Sequence, residues 1–204
     1  MSGRKKGREL DPRQFDSAEW AAFAGPGGSD EAEWKSWLSS GAVRVIPPKE
    51  AAKISEDRVF ARPARYVRTN KAKDPTTLMP KSRIVFPGDV DVDSGKLPED
   101  GGFRTDSPTA PQVAFHLLCS EAAQRGWKLG SFDVKTAFLS GEAQSREIYV
   151  RPPKDGLPGV PQGALLQPLK GVFGLKEAPR LLYLAARKRC KEAGFDELHT
   201  AKST

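Results

Sequence analysis

The residue types best suited to chemistry lie in residues 131–141, SFDVKTAFLSG. One carboxylate, Asp133, ends a short apolar run and is followed by Lys135, Thr136 and Phe138. A carboxylate at the end of a strand, with a turn or helix start behind it, is a common way to present a metal ligand beside a phosphate site. Since a single acid is weak evidence, the elements that would position Asp133 have to be identified first.

The composition favours a partly irregular α/β or α+β protein. The 204 residues are 38% hydrophobic and include 17 Pro and 19 Gly, enough for one substantial domain interrupted by loops. Residues 1–29 are predicted to be a flexible basic arm and linker with a short helix at 16–23. No apolar run reaches membrane-spanning length, and no apolar segment follows the basic start. We therefore expect a soluble, intracellular protein that does not bind membranes, with cytoplasm and nucleus both open.

The net charge of +7 is concentrated in one basic stripe. Between positions 58 and 83 eight cations face one acid, Asp74, which gives a local excess equal to that of the whole chain. The cations of this basic stripe are Arg58, Arg62, Arg65, Arg68, Lys71, Lys73, Lys81 and Arg83. Such a concentration indicates either a polyanionic partner, nucleic acid or a nucleotide triphosphate, or a solvated loop and strand face.

The periodicity of apolar residues and the positions of Gly and Pro predict the helices and strands around this stripe. Helices are expected at 29–41, with Trp34, Trp37 and Leu38 on one face, at 108–125, where an apolar stripe should pack on a sheet, and at 178–193. Strands are expected at 43–46, 64–69, 81–86, 127–134, 147–151 and 164–169. The second and third strands form a long-looped hairpin, in which alternation puts Lys81 and Arg83 on one face.

Three other kinds of site have weaker support. Residues 25–28 are rich in glycine but lack the strand and Lys-Ser/Thr ending of a phosphate loop. Residues 89–102 resemble a calcium loop, yet Ser94 replaces the turn glycine, so an acidic, flexible surface loop is preferred. The candidate ligands of a zinc site are His116, Cys119, Cys190 and His199. Both cysteines, however, suit a helix core, and they offer no disulfide framework.

Three motifs in order resemble the reverse transcriptase domain of copia-type LTR retrotransposons. They are DVKTAFLSG at 133–141, EIYVRPP at 147–153 and LKGVFGLKEAPRLLY at 169–183. KSRIVFPGD at 81–89, RTDSPT at 104–109 and the EW-containing helix at 33–38 are similar to upstream segments of the family. The resemblance covers about residues 30–203. It implies part of a right-hand polymerase, with fingers at about 30–105 and a partial palm at about 106–204.

The resemblance implies a role for each matched residue. Asp133 corresponds to the first catalytic aspartate, which holds Mg²⁺ with help from the carbonyl of Val134. Lys81 and Arg83 correspond to cations that hold the triphosphate, and Phe138 to the aromatic beneath the sugar. Gly174, Leu175 and Lys176 correspond to the segment that supports template and primer. The implied partners are an RNA or DNA template-primer and a deoxynucleotide triphosphate; the oligomeric state stays open.

The implied activity is RNA-templated DNA synthesis, but the site is incomplete in these 204 residues. The family's second motif, an aromatic-x-Asp-Asp hairpin, has no match here, and a two-metal site needs several carboxylates. We therefore expect the 204 residues alone to be inactive and of low stability, with an open sheet edge. The alternatives are a non-catalytic nucleic-acid-binding remnant that uses the basic hairpin, and an unrelated basic α/β binding protein.

Overall fold

The computed structural model of the protein describes residues 9–74, 77–131 and 133–195. The helices and strands in chain order are α1 (Ser17–Ala24), α2 (Ser29–Ser39), β1 (Val43–Ile46), α3 (Pro48–Ala51), β2 (Arg65–Asn70), β3 (Pro80–Val85), α4 (Gln112–Arg125), β4 (Leu165–Pro168) and α5 (Ala178–Glu192). Short 3-10 helices lie at Pro12–Gln14, Glu56–Arg58, Gly88–Val90, Pro98–Asp100 and Ala137–Ser140. This mixture confirms the α+β class. None of the described helices has the length and apolar composition needed to cross a bilayer.

The first described residues are packed, so the flexible arm predicted for residues 1–29 is wrong for 9–29. The Asp16 side chain accepts from the backbone N–H of Glu19 at 2.8 Å and the Glu19 carboxylate accepts from that of Asp16 at 3.2 Å, a capping box that starts α1. Leu10 and Phe23 are buried, and the backbone N–H of Leu10 donates to the carbonyl of Arg68 at 2.8 Å. Residues 1–8 lie outside the described residues.

Two antiparallel strand pairs form the sheet structure. β2 pairs with β3 from Arg65 opposite Val85 to Asn70 opposite Pro80, which confirms the predicted hairpin. β1 pairs with β4 from Val43 opposite Pro168 to Ile46 opposite Leu165. The strand predicted at 147–151 is reduced to two isolated bridges, Tyr149 with Val59 and Val150 with Leu166, so it only extends the second pair.

The main apolar core joins α2 to the two strand pairs, and a smaller cluster surrounds Ile46 and Tyr149. In the main core, Trp34 and Trp37 of α2 pack with Ile84 and Phe86 of the hairpin and with Val172. Trp34 and Trp37 are both buried, as expected for two residues predicted to share one face of the helix. Leu38 was predicted to share their face, but its side chain is about half exposed because the buried positions of α2 are Asp30, Glu33 and the tryptophans.

The stretch from 104 to 136, here named the exposed segment, contradicts two predictions. Helix α4 begins at Gln112, four residues later than predicted, and ends as expected before Gly126, which has φ 65°. Its apolar stripe does not pack on a sheet: Val113 is 67% and Leu117 61% exposed. The strand predicted at 127–134 is absent from 127–131 and 133–134, which are extended or irregular and exposed; Phe132 lies outside the described residues.

The acidic loop at 89–102 is also not a flexible surface loop. Asp91 and Asp93 are buried, Asp93 to 1% exposure. Both carboxylates pair with the guanidinium of Arg146 and do not face an open calcium site. Short-range pattern could not predict this, because the cation comes from more than fifty positions along the chain.

Candidate nucleotide and nucleic-acid site

The hairpin presents the two cations predicted to hold a triphosphate. In β3, Ser82 and Ile84 are buried while Lys81 is exposed and Arg83 half-buried, so the predicted alternation is confirmed. α2 packs on the buried face, where Asp30 accepts from the hydroxyl of Ser82 at 2.5 Å. Arg83 therefore projects from the opposite face of a strand that the core holds in place, whereas the side chain of Lys81 extends towards Glu33 of α2.

Arg83 and Phe138 both contact the aromatic ring of Phe173. The Arg83 guanidinium carbon lies 5.4 Å from the ring centroid of Phe173, a cation–π contact. The rings of Phe138 and Phe173 are 5.2 Å apart and edge-to-face. Phe173 thus links the β2–β3 hairpin to the turn that follows Asp133. Lys81 does not join this cluster; its Nζ lies 3.8 Å from the buried carboxylate of Glu33.

The segment of Gly174, Leu175 and Lys176 lies directly beneath the end of the hairpin. The backbone N–H of Phe86 donates to the carbonyl of Phe173 at 2.8 Å. Gly174 has φ 97°, and a Cβ at this position would lie 2.0 Å from the Phe86 carbonyl oxygen, so only glycine fits. Leu175 is buried, and Lys176 donates from Nζ to the Ser94 hydroxyl at 2.9 Å.

Asp133 lies in the exposed segment, outside this cluster. Asp133 and Val134 are exposed, and within the described residues no hydrogen bond or ion pair joins Asp133 to Lys81 or Arg83. Thr136 then takes a left-handed conformation, φ 50° and ψ 40°, which is unusual for a β-branched residue. This turn leads into the 3-10 helix Ala137–Ser140, where Leu139 is buried.

A buried ion-pair network, here named the Arg146 network, fastens the acidic loop to the segment that includes Gly174. Arg146 pairs with Asp91 at 2.8 Å, with Asp93 at 3.0 Å and with Glu177, the N-cap residue of α5. Its guanidinium carbon also lies 4.0 Å from the ring centroid of Phe103. The other cations of the network are Arg58 and Lys96, each of which pairs with Asp93.

The charges in the Arg146 network stabilise one another. Burial opposes the charged form of Arg146, but its hydrogen bonds with Asp91 and Glu177 outweigh that effect and raise its pKa. Burial likewise favours the neutral form of Asp93, but hydrogen bonds from Arg58, Lys96 and Arg146 hold the pKa of Asp93 well below its usual range. Both groups are therefore ionised at neutral pH.

Most of the basic stripe is neutralised within the fold. Arg68 is buried between the rings of Trp20 and Tyr66 and pairs with Asp30 at 2.6 Å and Asp155 at 2.7 Å. The other carboxylate pairs of the stripe are Arg58–Asp93, Arg62–Asp89, Arg65–Glu9 and Lys81–Glu33. The sequence excess of +7 therefore overstates the positive potential that this hairpin offers a ligand.

The four residues weighed for zinc do not form a site in the part of the chain that the structure describes. Cys119 and Cys190 are free; Cys190 is exposed, so its predicted place in a helix core is wrong. His199 lies outside the described residues. Residues 9–74, 77–131 and 133–195 contain no group of three or more His, Cys, Asp or Glu side chains that could hold a metal ion.

Comparison with known proteins identifies the family. A family model described as reverse transcriptase (RNA-dependent DNA polymerase) matches residues 53–203, most of the chain. The chain belongs to this reverse transcriptase family. The retrovirus-related Pol polyproteins from transposons RE2 and RE1 of Arabidopsis thaliana are 29% and 28% identical to it, each over 92 residues. That match covers 45% of the chain but only 6% of either relative, and no solved structure matches.

The family implies Mg²⁺, and the described residues do not complete a site for it. They offer one carboxylate, Asp133, and the adjacent carbonyl of Val134. Two divalent ions require several carboxylates within a few ångströms. The described part of the reverse transcriptase domain therefore contains no complete metal site.

Sequence reasoning missed the residues that join the predicted ones. Phe173 directly precedes Gly174 in the third matched motif, so its aromatic ring was a signal that could have been used. Arg146 and Glu177 gave no comparable signal, because their partners are distant in sequence.

Proposed function

We propose that these residues form the fingers and part of the palm of a retrotransposon reverse transcriptase, whose complete form carries out RNA-templated DNA synthesis by two-metal phosphoryl transfer. In this proposal Arg83 and Lys81 bind the triphosphate, and Phe138 lies beneath the sugar. Gly174, Leu175 and Lys176 support the template and primer, while Asp133 and the Val134 carbonyl are metal ligands. The division into fingers at about 30–105 and palm at about 106–204 is part of the proposal.

The meeting of Arg83 and Phe138 on Phe173 is the observation that supports this proposal best. The two residues come from segments more than fifty positions apart, both contact Phe173, and the family resemblance independently assigns both to the nucleotide. A cation beside an aromatic surface suits a nucleotide, whose phosphates need positive charge and whose sugar and base pack on rings.

The test is binding of a deoxynucleotide triphosphate and of a primer-template to the 204-residue chain. Because hydrogen bonds to charged groups contribute about 1.5–3 kcal/mol, Arg83→Gln should weaken triphosphate binding about tenfold or more. Arg65→Gln is the matched control, since it removes the same charge from the partner strand at an arginine paired with Glu9. Equal affinities for Arg83→Gln and Arg65→Gln would contradict the proposed nucleotide site.

The alternative is a non-catalytic binding remnant that keeps nucleic-acid affinity without turnover. Asp133 is exposed, and the described residues contain no group of three or more His, Cys, Asp or Glu side chains that could hold a metal ion, which favours absence of turnover for these residues alone. Primer extension by the 204-residue chain with magnesium should show no incorporation. Incorporation that disappears in Asp133→Asn would refute that expectation and would support a catalytic Asp133.

A further inference from the structure

The second half of α5 differs from its first half in exposure. The first half packs on the body of the protein: Ala178 and Ala185 are buried, and the backbone N–H of Glu142 donates to the Leu181 carbonyl at 3.0 Å. From Ala186 onward every described position is exposed. Helix α5 therefore emerges from a fixed base beside the 3-10 helix Ala137–Ser140 and leaves its last turns uncovered.

These uncovered turns carry cations with no carboxylate partner among the described residues. Lys188, Arg189 and Lys191 are exposed, and no ion pair occupies any of them within 9–74, 77–131 and 133–195. Glu192 is the only acid in the last two turns of the helix. The basic stripe differs, because five of its eight cations are paired with carboxylates.

The charge of this surface restricts what can cover it. An apolar protein surface would have to bury three unpaired cations, which costs free energy that nothing there returns. A row of phosphates compensates the charge and releases its own counterions on binding. The exposed turns of α5 are therefore suited to bind a polyanion and are not suited to pack against an apolar protein surface.

We propose that Lys188, Arg189 and Lys191 on the exposed half of α5 form a phosphate-backbone contact for nucleic acid, separate from the hairpin. The identity of the polyanion rests on the proposed function, whereas the position of the contact rests on exposure and charge alone. Because the base of α5 packs against the 3-10 helix Ala137–Ser140, nucleic acid held here is held by the helix that supports the turn after Asp133.

The first test measures the salt dependence of binding to a mixed-sequence RNA–DNA hybrid duplex. Each phosphate contact contributes about 0.9 to the slope of log K against log salt concentration, so Lys188→Gln/Arg189→Gln/Lys191→Gln should lower the slope by about 2–3. The matched control, Lys49→Gln/Lys53→Gln/Lys154→Gln, removes the same charge from exposed lysines on other elements and should leave the slope nearly unchanged. Equal effects of the two triple variants, or no effect of the first, would overturn the proposal.

The same duplex separates this inference from the proposed function. In one outcome, the Lys81→Gln/Arg83→Gln variant binds like wild type while the α5 triple variant has a lower slope of log K against log salt concentration. That outcome would contradict the hairpin assignment and support the α5 contact. The reverse pattern would overturn the α5 contact and leave the hairpin assignment standing.

Discussion

The packed body, residues 9–74, 77–103 and 137–185, buries most of its large apolar side chains, whereas the described part of the exposed segment, residues 104–131 and 133–136, leaves most of them exposed. In the packed body Trp37, Phe60 and Leu166 are fully buried. In the exposed segment Leu118 is half exposed, and Ala122 is the one buried residue among those described. The boundary falls at Thr136 with its left-handed backbone.

This difference separates the two chemical halves of the candidate site. Arg83, Phe138 and Phe173 belong to the packed body, so surrounding core residues and strand hydrogen bonds fix their positions. Asp133 belongs to the exposed segment, three residues before Thr136. The residues proposed to bind the nucleotide are therefore preorganised by the described residues, whereas the carboxylate proposed to bind the metal is not.

The largest predicted effect tests whether the packed body depends on the Arg146 network. Arg146→Met removes the cation from Asp91, Asp93 and Glu177, and loss of one partner from a buried ion pair costs about 3–5 kcal/mol. Urea denaturation followed by circular dichroism measures the free energy of unfolding.

Arg104→Met is the matched control for Arg146→Met. It breaks an exposed pair with Asp106 in the exposed segment and should change stability by less than about 1 kcal/mol. If the two variants unfold at the same urea concentration, the network does not hold the packed body together.

The next effect tests the close approach of the hairpin to the third matched motif. Gly174→Ala should destabilise the fold by about 1–3 kcal/mol from its backbone conformation, with a further loss from the Cβ that would lie 2.0 Å from the Phe86 carbonyl oxygen. Gly126→Ala at the end of α4 also has positive φ, but nothing lies within 4 Å of its Cβ. The midpoint temperature of thermal unfolding should be much lower for Gly174→Ala than for Gly126→Ala. Equal midpoints would mean that the hairpin does not contact this segment in solution.

Sequence periodicity predicted the packed body more accurately than the exposed segment. Local sequence pattern was enough to predict the hairpin, the strands at 43–46 and 164–169, and helix α5. Each of these elements could be predicted from its own residues alone. The α4 stripe failed because periodicity reports that a face is apolar and not that a partner covers it. The residues after Gly126 were β-prone, but a strand also requires a neighbour to pair with.

The site was predictable only to the extent that motifs mark it. The motif matches named Arg83, Phe138 and Gly174, and the structure brings those three segments together around Phe173. The partners of Asp91 and Asp93 could not be predicted, since burial turned a loop that composition described as acidic and flexible into the centre of an ion-pair network. Charge counting likewise missed that Arg68 is buried beside Asp30.

A smaller effect, on pH dependence, tests the contribution of Asp93. Because its pKa is lower in the folded chain than the value of about 3.9 for an unfolded aspartate, the unfolded state binds more protons as the pH falls. The stabilisation by Asp93 is therefore complete above that unfolded value and is lost as the pH decreases towards the folded pKa. Asp93→Asn should be less stable at pH 7 and should lose less stability on acidification, with a difference of up to about 1.4 kcal/mol per pH unit.

Asp100→Asn is the control for this pH experiment. It makes the same substitution at an exposed carboxylate of the same loop. Its stability should follow the wild-type pH curve, measured by urea denaturation between about pH 5 and pH 2. If the stability of Asp93→Asn also follows the wild-type pH curve, Asp93 does not act through its ionised form.

The smallest predicted effect tests the contrast between the two regions with one substitution. Leu117→Ala on α4 should change the free energy of unfolding by less than about 0.5 kcal/mol, because the side chain is 61% exposed. Leu139→Ala, six residues after Asp133 and 1% exposed, should cost about 2–5 kcal/mol. Hydrogen exchange should show α4 amides opening at lower free energy than those of β2 and β3. A cost above about 2 kcal/mol for Leu117→Ala would mean that the α4 face is covered in solution. Asp133 would then lie beside a second packed surface, and the separation of the metal-side group from the packed body would no longer hold.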